Sequence, residues 1–152
     1  MLVAEIMTEP AVTDTRTVTL VGAAELMWRE QTGSLVIVEA GKIVGIITER
    51  DVLRTVAAGK DATSITVGDV MTSDVVTVPP ETPLRDAART MARHWIRHLP
   101  VVAGGKLVGM ISQRDITGVF ASLVPGPGTP EIETDMLVRD QRLARIEHGD
   151  LD

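Results

Sequence analysis

The residues of this chain that could do chemistry lie in one short motif that occurs twice. A Thr or Ser is followed by a polar residue, Arg and Asp, and each copy comes directly after an apolar run. At the start of a helix, free backbone amides and the positive end of the dipole attract anions. The carboxylate offers two acceptor oxygens to the vicinal hydroxyls of a ribose, the hydroxyl can bond sugar or phosphate, and the guanidinium supplies a cation. The candidate binding residues are Thr48, Arg50 and Asp51 in the first copy and Ser112, Arg114 and Asp115 in the second.

A structural interpretation of the same motif stays open. A hydroxyl residue followed three positions later by an acidic residue is also a capping box, which only closes the first turn of a helix. Short motifs give many false positives. The recurrence of Arg and Gly at the same offsets favours a site, although duplication alone would also preserve a cap.

The motif is part of a longer internal repeat. Residues 3–58 align with residues 67–122 at a constant offset of 64 without a gap, and 20 of the 56 positions are identical. Each copy is too small to bury a good core alone, so we expect two copies to pack against each other. A ligand held between them should then have two related sites.

Each copy predicts the same order of elements. Leu20, Ala23 and Met27 lie on one face of an amphipathic helix, and an equivalent stripe recurs 64 residues later. Two apolar strands follow each helix, and a second helix begins after the hydroxyl residue of the motif. We therefore expect an α+β fold of two βαββα repeats with pseudo-two-fold symmetry. The predicted boundaries are 1–58 and 67–122 for the repeats, 59–66 for a linker, and 123–152 for a Pro/Gly break and a charged tail, helical or partly disordered.

Composition excludes several classes of function. The net charge of −6 and the 2% aromatic content argue against a nucleic-acid binder, which needs a basic face and stacking platforms. The absence of cysteine rules out thiolate chemistry and disulfides. No apolar run approaches the length of a membrane span, and no signal-peptide pattern opens the chain, so we expect a cytoplasmic protein without a membrane partner. With few aromatics, Trp28, Trp95 and Phe120 are expected as isolated fillers of an aliphatic core.

The chain resembles a known family. The Met-Thr opening, the Ala-Ala helix, the Leu-Pro-Val-Val strand and the Gly-Met-Ile-Ser-Gln-Arg-Asp closure look like a pair of CBS domains. The resemblance covers about residues 1–122 and implies a regulatory module for adenosine-containing ligands such as AMP, ADP, ATP, S-adenosylmethionine or NAD-like molecules. It also implies that the Asp of the last motif holds the ribose, that the residue pair before the Leu-Pro strand meets phosphate, and that such pairs form flat dimers.

Carried over residue by residue, the resemblance implies two unequal clefts between the repeats. Position 36 is Val where the second repeat has the family-like Pro100, which makes the first repeat the less typical one. Because Arg97 adds a permanent positive group and His98 a titratable one where the other cleft has Gly33 and Ser34, we expect the Asp115 cleft to bind phosphate better. The residues of that cleft are Arg97, His98, Ser112, Arg114 and Asp115, with Val18, Ala23 and Thr32 from the first repeat. Those of the other are Gly33, Ser34, Thr48, Arg50 and Asp51, with Thr82, Ala87 and Ile96 from the second.

Other chemistry finds little support in the residues. His94 and His98 are four apart, but the helix should end near Trp95, and no carboxylate or cysteine completes a metal site. No nucleophile elbow or P-loop occurs, and Asp51 and Asp115 have equivalent roles rather than those of an acid and a base. We therefore expect no enzyme, no required cofactor and an adenine nucleotide as regulatory ligand. A structural dimerisation module without a nucleotide is the alternative, and nucleotide hydrolysis is a remote third.

Assembly follows from the helices. Two Ala-rich helix faces, at 20–27 and 84–91, and the helices beginning at Glu49 and Gln113 exceed what two repeats can cover against each other. We therefore expect a homodimer in which these helices pack across a two-fold axis. The resemblance to a regulatory module also implies an effector protein, which the sequence does not identify.

Overall fold

The computed structural model describes residues 1–123 of the chain. The predicted tail, including the Pro125–Gly128 break, lies outside the described residues. Within 1–123, none of the helices is long and apolar enough to cross a membrane.

The elements follow the predicted order closely. The first repeat contains a 3₁₀ turn at Val3–Glu5, strand β1 (Thr13–Asp14), helix α1 (Leu20–Arg29), strands β2 (Ser34–Glu39) and β3 (Lys42–Thr48), and helix α2 (Glu49–Ala57). The second contains α3 (Val67–Val70), α4 (Leu84–His94), β4 (His98–Ala103), β5 (Lys106–Ser112) and α5 (Gln113–Leu123). The α+β repeat architecture is therefore confirmed. The second repeat has only an isolated parallel bridge, between Val78 and Val101, where the first has β1.

The chain divides into two compact units that do not follow the repeat boundaries. The first-repeat unit comprises Ala11–Val76 and Gly105–Leu107, and the second-repeat unit comprises Met1–Pro10, Thr77–Gly104 and the described residues from Val108 to 123. Each unit is thus completed by the opening segment of the other repeat.

Backbone hydrogen bonds hold each opening segment in place. In the second-repeat unit, the amide of Thr8 donates to the carbonyl of Met110 at 2.8 Å, and the amide of Met110 donates back at 3.0 Å. In the first-repeat unit, Thr72 and Ile46 exchange the equivalent pair of bonds at 2.9 Å. These reciprocal bonds extend the edge of a strand, so the segments are integral parts of the units.

The first-repeat unit has its core between α1 and one face of its sheet. Strand β2 lies between β1, which runs parallel to it, and β3, which runs antiparallel. The predicted stripe on α1 packs against alternate residues of β2 and β3, as expected when one side of a pleated sheet is covered by a helix. The buried cluster consists of Leu20, Ala23, Met27, Leu35, Ile37, Ile47 and Val67.

The second-repeat unit repeats this packing around α4, β4 and β5. Ala87 and Met91 of α4 are buried together with Leu99, Val101 and Ile111 of the strands. The helix ends where the sequence predicts, because Trp95 adopts a left-handed conformation with φ of 56° directly after His94.

The expectation that the large aromatic residues fill the core is wrong. Trp28, Trp95 and Phe120 are 58%, 82% and 68% exposed. Trp28 and Phe120 lie on the outer faces of α1 and α5, and Trp95 lies at the end of α4. The cores are instead closed by aliphatic side chains and methionines, which fill irregular space without the bulk of a ring.

Candidate functional site

The first candidate loop joins β3 to α2 and is built around Asp51. Its Oδ2 accepts hydrogen bonds from the backbone amide of Thr48 at 2.8 Å and from Thr48 Oγ1 at 2.9 Å. The amide of Asp51 in turn donates to the Thr48 side chain, which completes the predicted capping box. The carboxylate is 8% exposed at residue level, so the cap fixes its orientation at the start of the helix.

The second loop joins β5 to α5 and has the same geometry. Asp115 Oδ2 accepts from the amide and the Oγ of Ser112, both at 2.7 Å, and the amide of Asp115 donates to Ser112 Oγ at 3.3 Å. Asp115 is also buried, at 9% exposure. A second buried carboxylate is thus held at the positive end of a helix.

The cap and the binding interpretation are compatible in this geometry. Both bonds from the hydroxyl residue go to one carboxylate oxygen, Oδ2, in each loop. An ionised carboxylate can accept through both oxygens. The Oδ1 atoms of Asp51 and Asp115 are therefore the ones suited to the hydroxyls of a sugar.

The two carboxylates differ in what approaches Oδ1. The guanidinium of Arg54 lies 3.5 Å from Asp51 Oδ1, an i,i+3 pair along α2 whose Arg side chain is 72% exposed. The equivalent position in the second repeat is Gly118, which has no side chain to reach Asp115. A ribose at Asp51 therefore competes with the guanidinium of Arg54 for Oδ1. At Asp115 the equivalent residue, Gly118, presents no such competitor.

Each loop is joined to the residue pair at the start of its neighbouring strand. The amide of Glu49 donates to the carbonyl of Gly33 at 3.1 Å, and that of Gln113 donates to the carbonyl of Arg97 at 2.8 Å. The predicted pairs Gly33-Ser34 and Arg97-His98 are thus brought beside the Asp51 and Asp115 loops respectively. The Asp115 loop therefore has the charged residue Arg97 beside it, whereas the Asp51 loop has the uncharged Gly33.

Ser34 is the unusual member of these pairs. Its residue exposure is 1%, and its Oγ is buried without a hydrogen-bond partner among the described residues. Ser34 is paired with Thr48 across β2 and β3, so both side chains are on the same face of the sheet. An unsatisfied hydroxyl therefore lies beside the Asp51 loop.

The remaining predicted site residues lie in the units as follows. Val18 packs against the core of the first-repeat unit, and Thr32 Oγ1 donates to the carbonyl of Ser34 at 3.2 Å. In the second-repeat unit, Thr82 accepts from the amide of Val3, and the half-buried Ile96 donates to the carbonyl of Met91. Their contribution to the opposite cleft stays a prediction.

Two predicted ligand contacts, Ala23 and Ala87, are fully buried. Ala23 belongs to the core cluster described above. The role of the two alanines toward a ligand also stays a prediction.

Arg50 and Arg114 are exposed in the first turns of α2 and α5 and directly precede the two Asp residues. Their contact with a ligand stays a prediction.

Sequence reasoning missed Arg54 and the unsatisfied state of Ser34. The i,i+3 spacing of Asp51 and Arg54 was a usable signal, since such pairs face each other on a helix. Nothing in the sequence signalled the missing partner of Ser34, because hydrogen-bond satisfaction depends on the surrounding chain.

The positions of His94 and His98 can be compared with the requirements of a metal site. His94 ends α4 and His98 begins β4, so they do not share a helix face. In residues 1–123, no group of three or more His, Asp or Glu residues is arranged to hold a metal ion.

Comparison with known proteins agrees with these repeats. The family model described as "CBS domain" matches twice, at residues 3–58 and 67–122. The chain belongs to the CBS domain family.

Individual CBS proteins match over most of the chain. CBS domain-containing protein YhcV from Bacillus subtilis is 37% identical over 115 residues, which cover 75% of this chain and 81% of YhcV. Among solved structures, a CBS-domain protein from Burkholderia ambifaria MC40-6 has a TM-score of 0.79 and 30% identity, covering 85% of this chain and all of the other. The CBS domain pair of protein MJ0100, in complex with 5′-methylthioadenosine and S-adenosyl-L-methionine, has a TM-score of 0.74 and 30% identity, with 80% and 96% coverage. Two further curated relatives are longer, and the chain spans 50% and 43% of them.

Proposed function

We propose that this CBS pair is a regulatory module that binds an adenosine-containing ligand at the Asp51 and Asp115 loops and has no catalytic activity. AMP, ADP, ATP, S-adenosylmethionine and NAD-like molecules share the adenosine group that such a site recognises. The MJ0100 pair, which is similar in fold and 30% identical, was solved with two adenosine-containing molecules. That similarity supports the ligand class.

The observation that carries the proposal is the twice-repeated carboxylate at a helix N-terminus. In each loop a buried Asp is held through Oδ2 by the hydroxyl residue before it. The cap therefore fixes the orientation of the carboxylate, including that of Oδ1. Preorganised acceptors bind more tightly because less side-chain freedom is lost on binding. A vicinal diol is the group that suits one fixed carboxylate.

The charge of the neighbouring residue pair supports phosphate binding at the Asp115 loop. Arg97 is permanently charged and adjoins this loop through its carbonyl, while the corresponding residue at the Asp51 loop is Gly33. A charge-assisted hydrogen bond to phosphate contributes about 1.5–3 kcal/mol. We expect Arg97→Ala to weaken AMP binding by about tenfold or more and to leave adenosine binding nearly unchanged.

Isothermal titration calorimetry and thermal shift with AMP, ADP, ATP and S-adenosylmethionine test the proposal. A ligand at 100 times its dissociation constant should stabilise the protein by about 2.7 kcal/mol. For a chain of this size that corresponds to a rise in melting temperature of about 8 °C. Product analysis after incubation with ATP should show unchanged nucleotide. Absence of binding by every adenosine compound would refute the ligand class, and hydrolysis would refute the regulatory interpretation.

A scaffold without a nucleotide is the second candidate, and the complete capping boxes favour it. Each Asp already has a structural role at the start of a helix, so its presence does not require a ligand. The two candidates differ in what removal of the carboxylate does: the scaffold loses only stability, whereas the sensor also loses affinity.

We further propose that the module is a homodimer. Helices α2 and α5 carry large apolar side chains that are 60–68% exposed, namely Leu53, Val56, Phe120 and Leu123. Patches of this kind commonly mark a protein interface. A second copy of the chain supplies matching apolar faces through a two-fold axis. An effector protein and a cytoplasmic location stay predictions from the sequence.

A further inference from the structure

We propose that the Asp51 loop binds a nucleoside with an uncharged 5′ end and that Ser34 Oγ donates a hydrogen bond to its 5′ oxygen. This inference rests on the proposed function, because it assumes that Asp51 holds the ribose. It adds that the two loops of one chain select different ligand classes, a nucleoside at Asp51 and a phosphorylated nucleotide at Asp115.

The first argument is the state of the Ser34 hydroxyl. A buried polar atom without a partner is uncommon in a folded protein and calls for a physical reason. Ser34 Oγ has none among residues 1–123, and the residue is 1% exposed. A bound acceptor would satisfy this donor, so contact with a ligand gives the buried hydroxyl a physical reason.

The second argument is its position. Ser34 is opposite Thr48 in the β2–β3 ladder and on the same face of the sheet, and Thr48 Oγ1 bonds directly to Asp51 Oδ2. A ligand whose 2′ and 3′ hydroxyls meet Asp51 has its 5′ carbon only a few bonds away. Thr32 and Gly33, which precede Ser34 where the strand begins, are only half-buried.

The third argument is charge. The pair beside this loop, Gly33 and Ser34, provides no cation, and Arg54 is already directed to Asp51 at 3.5 Å. Arg50 is exposed in the first turn of α2 and is matched by Arg114 in the other loop, so it does not distinguish the two sites. A phosphate dianion would lose hydration here without the compensation that Arg97 offers at the other loop. A neutral 5′ group has no such cost.

Adenosine, AMP and 5′-deoxyadenosine test the inference by calorimetry. Asp115→Asn retains an acceptor for the Ser112 cap and silences the second loop, so the remaining heat reports on the Asp51 loop. In that background we expect adenosine to bind at least tenfold more tightly than AMP. Adding Ser34→Ala should weaken adenosine by about three- to tenfold, and 5′-deoxyadenosine, which lacks the acceptor, should bind equally well with and without the Ser34 hydroxyl.

Melting of the free variants is the control. Because Ser34→Ala removes an unsatisfied donor, the unliganded protein should melt at the same temperature as the wild type or slightly higher. A fall in melting temperature would show that the hydroxyl is structurally satisfied and would overturn the inference.

The remaining outcomes separate this inference from the proposed function. Adenosine binding that disappears in Asp115→Asn, or equal losses for adenosine and 5′-deoxyadenosine in Ser34→Ala, would overturn the inference and leave the proposed function intact. Failure of both adenosine and AMP to bind the wild type would overturn the proposed function and this inference with it.

Discussion

Replacing Asp115 by alanine should lower both stability and ligand affinity, and the two effects can be separated. The carboxylate is 9% exposed and accepts two bonds of 2.7 Å from Ser112. Loss of a helix cap costs about 0.5–2 kcal/mol, and hydrogen bonds to a charged group contribute about 1.5–3 kcal/mol. We therefore expect a destabilisation of about 2 kcal/mol, which lowers the melting temperature by about 6 °C.

The effect on ligand binding is larger than the effect on stability. Removing the carboxylate that holds the ribose through Oδ1 should reduce AMP affinity about a hundredfold, or about 2.8 kcal/mol. At an AMP concentration of 100 times the wild-type dissociation constant, stabilisation then falls from about 2.7 to about 0.4 kcal/mol. The ligand-induced rise in melting temperature should shrink from about 8 °C to about 1 °C.

The chain contains a matched control for the cap alone. Asp69 caps α3 in the same way as Asp115 caps α5, with its Oδ2 accepting from the Thr66 amide at 2.9 Å and from Thr66 Oγ1 at 2.7 Å. No ligand role is assigned to this exposed residue. Asp69→Ala should destabilise the protein less than Asp115→Ala and retain the full AMP-induced shift.

Differential scanning fluorimetry of the three proteins, with and without AMP, is the assay. An AMP-induced shift in Asp115→Ala that equals the shift in Asp69→Ala would refute the binding role. Asp115 would then be only a capping residue, as the scaffold interpretation holds.

Three further outcomes can be measured on the same protein. Gly109→Ala should lower the free energy of unfolding in urea titration by about 1–3 kcal/mol, and by more than Gly45→Ala does. A Cβ at position 109 would lie 2.9 Å from the backbone oxygen of Thr8, whereas a Cβ at position 45 meets the flexible side chain of Met71. The side-chain and backbone hydrogen bonds from Thr66 hold the pKa of Asp69 below its ordinary value of 3.8. The stabilisation from Asp69 is therefore complete above pH 3.8 and is lost as the pH falls through the lower pKa of the folded state. Asp69→Asn should make stability fall less steeply with acid below about pH 4, and an unchanged dependence would contradict this. Phe120→Arg should shift the mass in light scattering from that of a dimer toward 16.3 kDa, and a wild type already at that mass would refute the homodimer.

Much of the local structure could be predicted because its causes are close together in sequence. The stripe of Leu20, Ala23 and Met27 follows the period of a helix, and all three side chains are buried in the core cluster. Thr48 and Asp51 are three residues apart, so their capping box forms within one turn, whatever surrounds it. The 64-residue offset then transfers both predictions to the second repeat.

The tertiary structure decided what distant segments bring together. Pairing of Thr8 with Met110, about 100 residues away, completes a compact unit that no local pattern indicates. Trp28 is apolar but exposed, and Ser34 is polar but buried without a hydrogen-bond partner within residues 1–123. Burial and hydrogen-bond satisfaction depend on which distant segment of the chain covers a residue. Residue type alone determines only the free-energy cost of being buried or exposed. For this reason the sequence alone identified the two carboxylates and the unequal residue pairs beside them, while the unsatisfied Ser34 hydroxyl emerged only from the folded chain.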